Sequence, residues 1–471
     1  MLLIAAGVLT VVSLILLVFA PAWGVLGVFL ARPLVDATWE SRSVIGGMSL
    51  TEIISGLVPV LMLPWMLASS DSRKAFNHMP LRFIWLLWSA DVLLFSIYIM
   101  TLDGIATGVS VLFRHWSGLI GFYMVQAWFA ADERLVRRFA IALLIAGIFP
   151  VSTGLYEAVT GFHWSITTGE DNVIRNVGLY HDAITIRYYA LQTIMAVLLL
   201  SATGGMRSTI VSGLSWAYAA CAAFVMFKAY SKSGTLTLLS WGLLWPLLLR
   251  KYRALTAVGI AAVIVAGWYG KEVMDAGGFI FQKELGAISG TGDSHRAFNG
   301  RIYHWLELME QWNKLPLANQ MLGSGHIATG AHNDYIQVMF HGGYIGLLIY
   351  VSLLVCIMAR VVGDLRRRRD AYSVAALLAM IMWLVDTMGL VPSAYSGYQW
   401  FVWGVVGLCL RRREDELRSA AVEATAPLDV AADVPTRVVS ASTMPARNPL
   451  LLPVPPGRTF LQLPAPKDRA L

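Results

Sequence analysis

Apolar stretches about as long as a bilayer is thick recur along this 471-residue chain, near 1–31, 49–69, 82–100, 104–129, 138–156, 184–203, 209–227, 234–249, 254–269, 334–360, 372–391 and 398–410. A helix rises about 1.5 Å per residue, so about twenty such residues cross the roughly 30 Å hydrocarbon core. Soluble domains are ~25% charged, whereas here 57% of residues are hydrophobic and 14% charged. The chain is therefore expected to be an all-α, multi-pass integral membrane protein.

Basic residues orient the spans. Arg73, Lys74 and Arg82 share one loop, Arg134, Arg137 and Arg138 a second, and Arg207 marks a third. Arg250, Lys251 and Arg253, then Arg366 to Arg369, then Arg411 to Arg413 complete the series. These loops alternate with poorly basic ones, and the positive-inside rule puts the basic set in the cytoplasm. Loops 32–48, 101–103, 157–183, 228–233, 270–333 and 392–397 then face outward, with 157–183 and 270–333 the large ones. Residues 1–31 are too long for one untilted span, and Pro21 interrupts them. One kinked helix gives twelve spans with both termini inside, and two short helices give thirteen; twelve is the expectation. Residues 1–412 form the expected transmembrane domain, and 413–471 a cytoplasmic tail. From residue 419 the tail is Ala-, Pro-, Val- and Ser-rich with no helical or strand period, so it is expected to be disordered.

Composition excludes several classes. The formal charge of +7 follows the loops and gives no argument for nucleic acid. Cys221, Cys356 and Cys409 all fall in apolar runs with no Cys-x-x-Cys spacing, which argues against a disulfide framework or a zinc site. The N-terminus has no basic region before its apolar run, so no cleavable leader is expected. No inverted pair of Gly/Pro-broken helices points to a secondary transporter.

The chemistry concentrates where the large outer loop re-enters the membrane, in "GAHNDYIQVMFHGGYIGL" at 330–347. His332 and Asn333 stand at that mouth; after nine intervening residues come Gly343 and then Gly346, whose missing side chains permit close helix approach. Arg187 and Leu191 lie in "IRYYAL" beyond another outer loop, and Gly300-Arg301 and Trp305 lead an amphipathic stretch before an "LGSG" turn. Taken singly, such a His or Arg is an ordinary interfacial anchor.

Together these residues resemble the O-antigen ligase and repeat-unit polymerase superfamily of bacterial envelope glycan assembly. The resemblance rests on His332-Asn333 with Gly343 and Gly346, on Arg187 with Leu191, and on Gly300-Arg301 with Trp305. It implies an inner-membrane glycosyltransferase with its site on the periplasmic face, moving glycan from an undecaprenyl-diphosphate-linked donor to an acceptor hydroxyl. The acceptor would be lipid A–core or a second lipid-linked glycan, with membrane lipids and polysaccharide export or assembly proteins as further partners. On this reading His332 activates the hydroxyl. Arg187 and Arg301 stabilise the departing diphosphate, since a guanidinium binds phosphate bidentately. No cofactor or metal is expected, and attack opposite the leaving group inverts the anomeric carbon. Asn333, Arg296, His304, His326, His181 and Lys232 are candidate substrate contacts, with Asp182 beside His181. Trp164, Tyr180, Tyr188 and Tyr335 suit an interfacial belt better than sugar stacking.

Two charges lie well inside apolar runs, Asp91 in "LLWSADVLLFS" and Arg114 in "VLFRHWSG". They are equidistant from the turn near residue 102, which predicts a mid-membrane ion pair with His115 beside it. Asp386 is a further intramembrane acid with no evident partner. The competing function is a transporter or flippase of lipid-linked glycan. It is disfavoured because the candidate cations gather at outer helix mouths rather than in a central cavity.

Overall fold

A computed structural model describes residues 1–41, 48–165, 174–206, 208–256, 300–325 and 330–425, together with 259, 260, 263, 286 and 289. Among the described residues, helices occupy the apolar runs. In chain order they are α1 (Leu2–Phe19), α2 (Pro21–Asp36), α3 (Leu50–Ala68), α4 (Ser70–Asn77), α5 (Arg82–Asp103) and α6 (Ile105–Phe129). There follow α7 (Glu133–Ala146), α8 (Ile148–Thr160), α9 (Ala183–Ala202), α10 (Thr209–Lys228) and α11 (Lys232–Leu248). From the second large loop come α12 (Arg301–Asn313) and α13 (Leu317–Leu322), then α14 (Asp334–Arg367), α15 (Ala371–Thr387), a 3-10 turn at Pro392–Ala394 and α16 (Ser396–Thr425). Among the described residues no β-strand forms, and seven helices, with α7 and α8 taken together as one, are long and apolar enough to cross a membrane. The compact body comprises Met1–Ala421, and Val422–Leu471 is a second unit.

The first apolar run departs from its expected form. Residues 1–31 do not make one kinked helix; α1 and α2 fold back on each other from a break at Ala20. Pro21 starts the second helix, where its missing N–H costs nothing. Glycines then permit the contact. A side chain on Gly24 would overlap the backbone of Leu16 and Leu17, and one on Gly27 would lie 2.7 Å from Ser13 Oγ. The C-terminal boundary also moves. The helix expected to end near 412 runs on through "RRREDELRSAAVEAT" to Thr425, a stretch rich in helix formers and carrying an Arg411–Asp415 pair at 3.0 Å. Residues 426–471, the bulk of the expected disordered tail, lie outside the described residues.

The helix α9 is the hub, with nearly its whole length buried among its neighbours. Helices α6 and α16 pack through small residues: a side chain on Gly121 would meet the Trp400 backbone at 2.6 Å, and one on Gly404 would meet Val125 at 2.7 Å. Around that seam Trp85, Trp383, Trp400 and Trp403 are all buried. Helix α16 carries its arginines to one end of the body. There Arg411 donates to the His78 carbonyl at 2.6 Å and Arg412 to the Ala131 carbonyl at 3.0 Å. Arg137 donates to the Thr203 carbonyl at 2.8 Å. Three of the basic loops are thereby drawn to the α16 arginines or tied to a neighbouring turn. Helices α14 and α16 each begin at the opposite end, with Asp334 and Ser396, beside the site described next.

Candidate functional site

His332 stands at the rim of a cavity of about 260 Å³ and adopts φ +42°, a left-handed backbone that costs a non-glycine residue about 1–2 kcal/mol. Its neighbours hold it there. Asn333 caps α14, its side chain accepting from the N–H groups of Tyr335 and Ile336 at 3.0 and 3.1 Å. Asp334 is fully buried and accepts from the hydroxyls of Tyr350 and Ser393. On the other side the Trp305 indole donates to the Ala331 carbonyl at 2.6 Å. Helix α12 thus lies beneath residues 330–332 and brings His304 and Arg301 to the same place. Arg301 donates to the Gly389 carbonyl at 2.6 Å. Partial burial, then the positive charge of Arg301 and His304, lowers the His332 pKa below its ordinary value.

The glycines after the histidine do different work. Gly343, at φ +69°, breaks α14 in two, and a side chain there would overlap the Met321 carbonyl. The break exposes the Phe340 carbonyl, which accepts from Ser324 N–H at 2.9 Å and from its hydroxyl at 3.1 Å. Helix α13 and the turn behind it are docked by those bonds. Gly346 faces α5 instead, where a side chain would lie 2.8 Å from Asp91 Oδ2. Close approach was the expectation for both glycines; the helix break at Gly343 was not.

Below the rim a polar cluster is set among apolar residues. The chamber floor carries Arg114, His115, His341 and Gln337. The Gln337 amide donates to His341 Nε2 at 2.7 Å, which leaves the ring proton on Nδ1. The two imidazoles stand edge to face at 5.6 Å, and neither Nδ1 has a hydrogen-bond partner. A second chamber of about 930 Å³ lies between α2, α3 and α6. The two share Arg114, Ala394 and Tyr395 as a common wall.

The predicted Asp91–Arg114 ion pair does not form. The depth was right, since Trp116 donates to the Ser89 carbonyl at 3.1 Å and the His115 ring is 5.8 Å from Trp88. Equal depth does not fix rotation about the helix axis. Asp91 points at Gly342 and Gly346 on α14, and its buried Oδ2 is unpartnered. Arg114 points the other way, into the chambers, with no hydrogen bond or ion pair to its guanidinium among the described residues.

Arg187 lies away from the rim, buried to 1% exposure. It donates to Asp386 Oδ2 at 2.8 Å, to Ser231 Oγ at 3.1 Å and to Ser233 Oγ. Asp386, partnerless in sequence, also accepts from Tyr398 at 2.7 Å. Its backbone carbonyl takes the N–H groups of Gly389 and Leu390 at 3.1 and 2.8 Å, so the pair anchors the turn that Arg301 grips. Lys232 opens α11 between the two serines that hold Arg187. His181 lies across from Trp39, ring centroids 4.5 Å apart, in the larger chamber, where Asp182 caps α9 through Thr185. The structure therefore gathers His332, Asn333, Arg301 and His304, while Arg187 is engaged with Asp386 and His181 lines the larger chamber. Arg296 and His326 lie outside the described residues. One group that sequence reasoning passed over, His341, carries a legible signal, an ionisable residue inside an apolar run; Arg114 was singled out by the same signal but given the wrong partner.

No protein-family model and no curated protein matches this chain.

Proposed function

We propose that this chain is a membrane glycosyltransferase of the O-antigen ligase and repeat-unit polymerase type, acting on a lipid-diphosphate-linked glycan at the outer face of a bacterial inner membrane through a twelve- or thirteen-span bundle. The observation that carries the reading is His332. It stands at the rim of a chamber that carries Arg114, His115 and His341, on a backbone fixed by Asn333 and Trp305, with its pKa lowered by partial burial and then by Arg301 and His304. A neutral imidazole accepts the proton of an acceptor hydroxyl, whose oxygen attacks the anomeric carbon as the bond to diphosphate breaks. Arg301 supplies fixed positive charge beside the reacting atoms. Arg187 enters as a positioning residue, since contact with a phosphate would require it to leave Asp386.

The test is transfer by the purified, reconstituted chain, offered one lipid-linked repeat unit with and without lipid A–core. A ladder from the repeat unit alone identifies a polymerase, and a single product requiring lipid A–core identifies a ligase. His332→Ala should abolish either product while inserting and folding normally. Movement of lipid-linked glycan across the bilayer without bond formation would establish the flippase reading instead.

A further inference from the structure

The larger chamber is not used by the chemistry just described, and two features of it point to a ligand. Its flank on α3 is apolar and outward-facing: Leu57 and Val60 are 40% and 44% exposed on a helix long and apolar enough to span the bilayer. Its inner end is Arg114, nine residues into α6, and so roughly 14 Å along that helix at 1.5 Å per residue. An unpaired cation at such depth is costly, and intramembrane charges mark substrate paths.

The other charges of the chamber are already satisfied. Asp36 pairs with Arg32 at 2.8 Å and accepts from Tyr188 and Tyr189 at 2.6 and 2.7 Å. Glu52 closes the capping box of α3 with Ser49. Asp182 caps α9. The lining thus offers one free guanidinium at the end of an apolar groove. Just beyond the shared wall, His115 and His341, 5% and 3% exposed, line the smaller chamber with unpartnered Nδ1 atoms.

We propose that the groove between α2, α3 and α6 binds an isoprenyl diphosphate from within the bilayer, its chain lying along Leu57, Val60 and Phe113 and its diphosphate reaching Arg114 at the doorway to the His332 chamber. The ligand is amphiphilic because the site is: apolar and bilayer-facing at one end, cationic at the other. A diphosphate offers more acceptor oxygens than a carboxylate, to a guanidinium fork with imidazoles beyond it. This assignment rests on the transferase reading for the identity of the lipid, and on geometry alone for the place.

The test uses the full chain in nanodiscs with a photoreactive isoprenyl diphosphate, the labelled peptides being mapped by mass spectrometry. Labelling should fall on Leu50–Ala68 and on residues 105–113. Arg114→Gln should weaken binding at least about tenfold, the effect of losing one charge-assisted contact. Val60→Trp, a change on the exposed face that does not touch the charge, should weaken it too by filling the groove. Excess phosphatidylglycerol should not compete, nor should inorganic diphosphate reproduce the affinity. Labelling elsewhere, or wild-type affinity in both variants, overturns the site. Equal competition by phosphatidylglycerol overturns the diphosphate lipid in favour of a structural phospholipid, and binding of inorganic diphosphate alone at full affinity overturns the groove. Groove binding without transfer by the wild-type chain sinks the transferase reading and leaves the site; transfer that His332→Ala abolishes, with no groove binding, does the reverse.

Discussion

At the scale of single residues, the proposed base is defined by its surroundings. The ordinary histidine pKa is about 6.5, and burial with Arg301 and His304 lowers that of His332. The neutral, proton-accepting form therefore persists below pH 6.5, and activity should survive mild acid before falling as the ring protonates. Arg301→Gln removes one of the positive neighbours, so the acid limb of the kcat/KM profile should move to higher pH; an unmoved limb would mean that another group titrates. The Arg187–Asp386 pair makes a different prediction. Truncating one partner of a buried pair leaves the other uncompensated, at a cost of about 3–5 kcal/mol. Asp386→Asn should lower the melting temperature, and transfer should fall with it as the 387–391 turn loosens; Arg187→Lys should fare little better, since a point charge cannot serve three oxygens held by a fork. His332 drew notice because it sits at a loop-to-membrane transition, and Arg301 because it opens an amphipathic stretch of the same loop. Asp386 was noticed too, but its pairing was not legible, because its partner is 199 residues away in sequence.

At the scale of elements, the two halves of α14 meet at Gly343. Alanine there would need both a left-handed backbone and the space filled by the Met321 carbonyl. Gly343→Ala should cost about 2 kcal/mol or more, seen as a lower unfolding temperature, with proteolysis increased at Leu317–Leu322 as that helix loses its dock. A melting curve and cleavage pattern like wild type would show that the break is incidental. Sequence supplied the glycines and their spacing, but not the loop helix that fills the gap. In α1 and α2 it supplied Pro21, yet hairpin or kink depended on whether Gly24 and Gly27 met Leu17 and Ser13, a tertiary contact. At the far end, the low-complexity tail concealed a helical Arg/Glu/Ala segment because composition was averaged across both.

At the scale of the whole molecule, the His332 end and the arginine end are opposite poles of α14 and α16. The positive-inside rule predicts a cytoplasmic arginine pole, and single-cysteine labelling in intact cells checks it. Lys314→Cys and Arg368→Cys both replace exposed side chains. An impermeant maleimide added from outside should modify the first and spare the second; the reverse pattern would invert the protein and remove the periplasmic site with it. The apolar helices were readable because hydropathy is a property of single segments. Rotation of one helix against another is not, which is why Asp91 and Arg114 were matched in depth and mismatched in direction. Asp91 has a practical consequence. Its Oδ2 is buried, unpartnered and pressed toward Gly346, so Asp91→Asn keeps the shape and discards a desolvated charge. The expected result is a higher melting temperature in detergent with His332-dependent transfer intact, a sturdier preparation for purification and imaging from one changed atom.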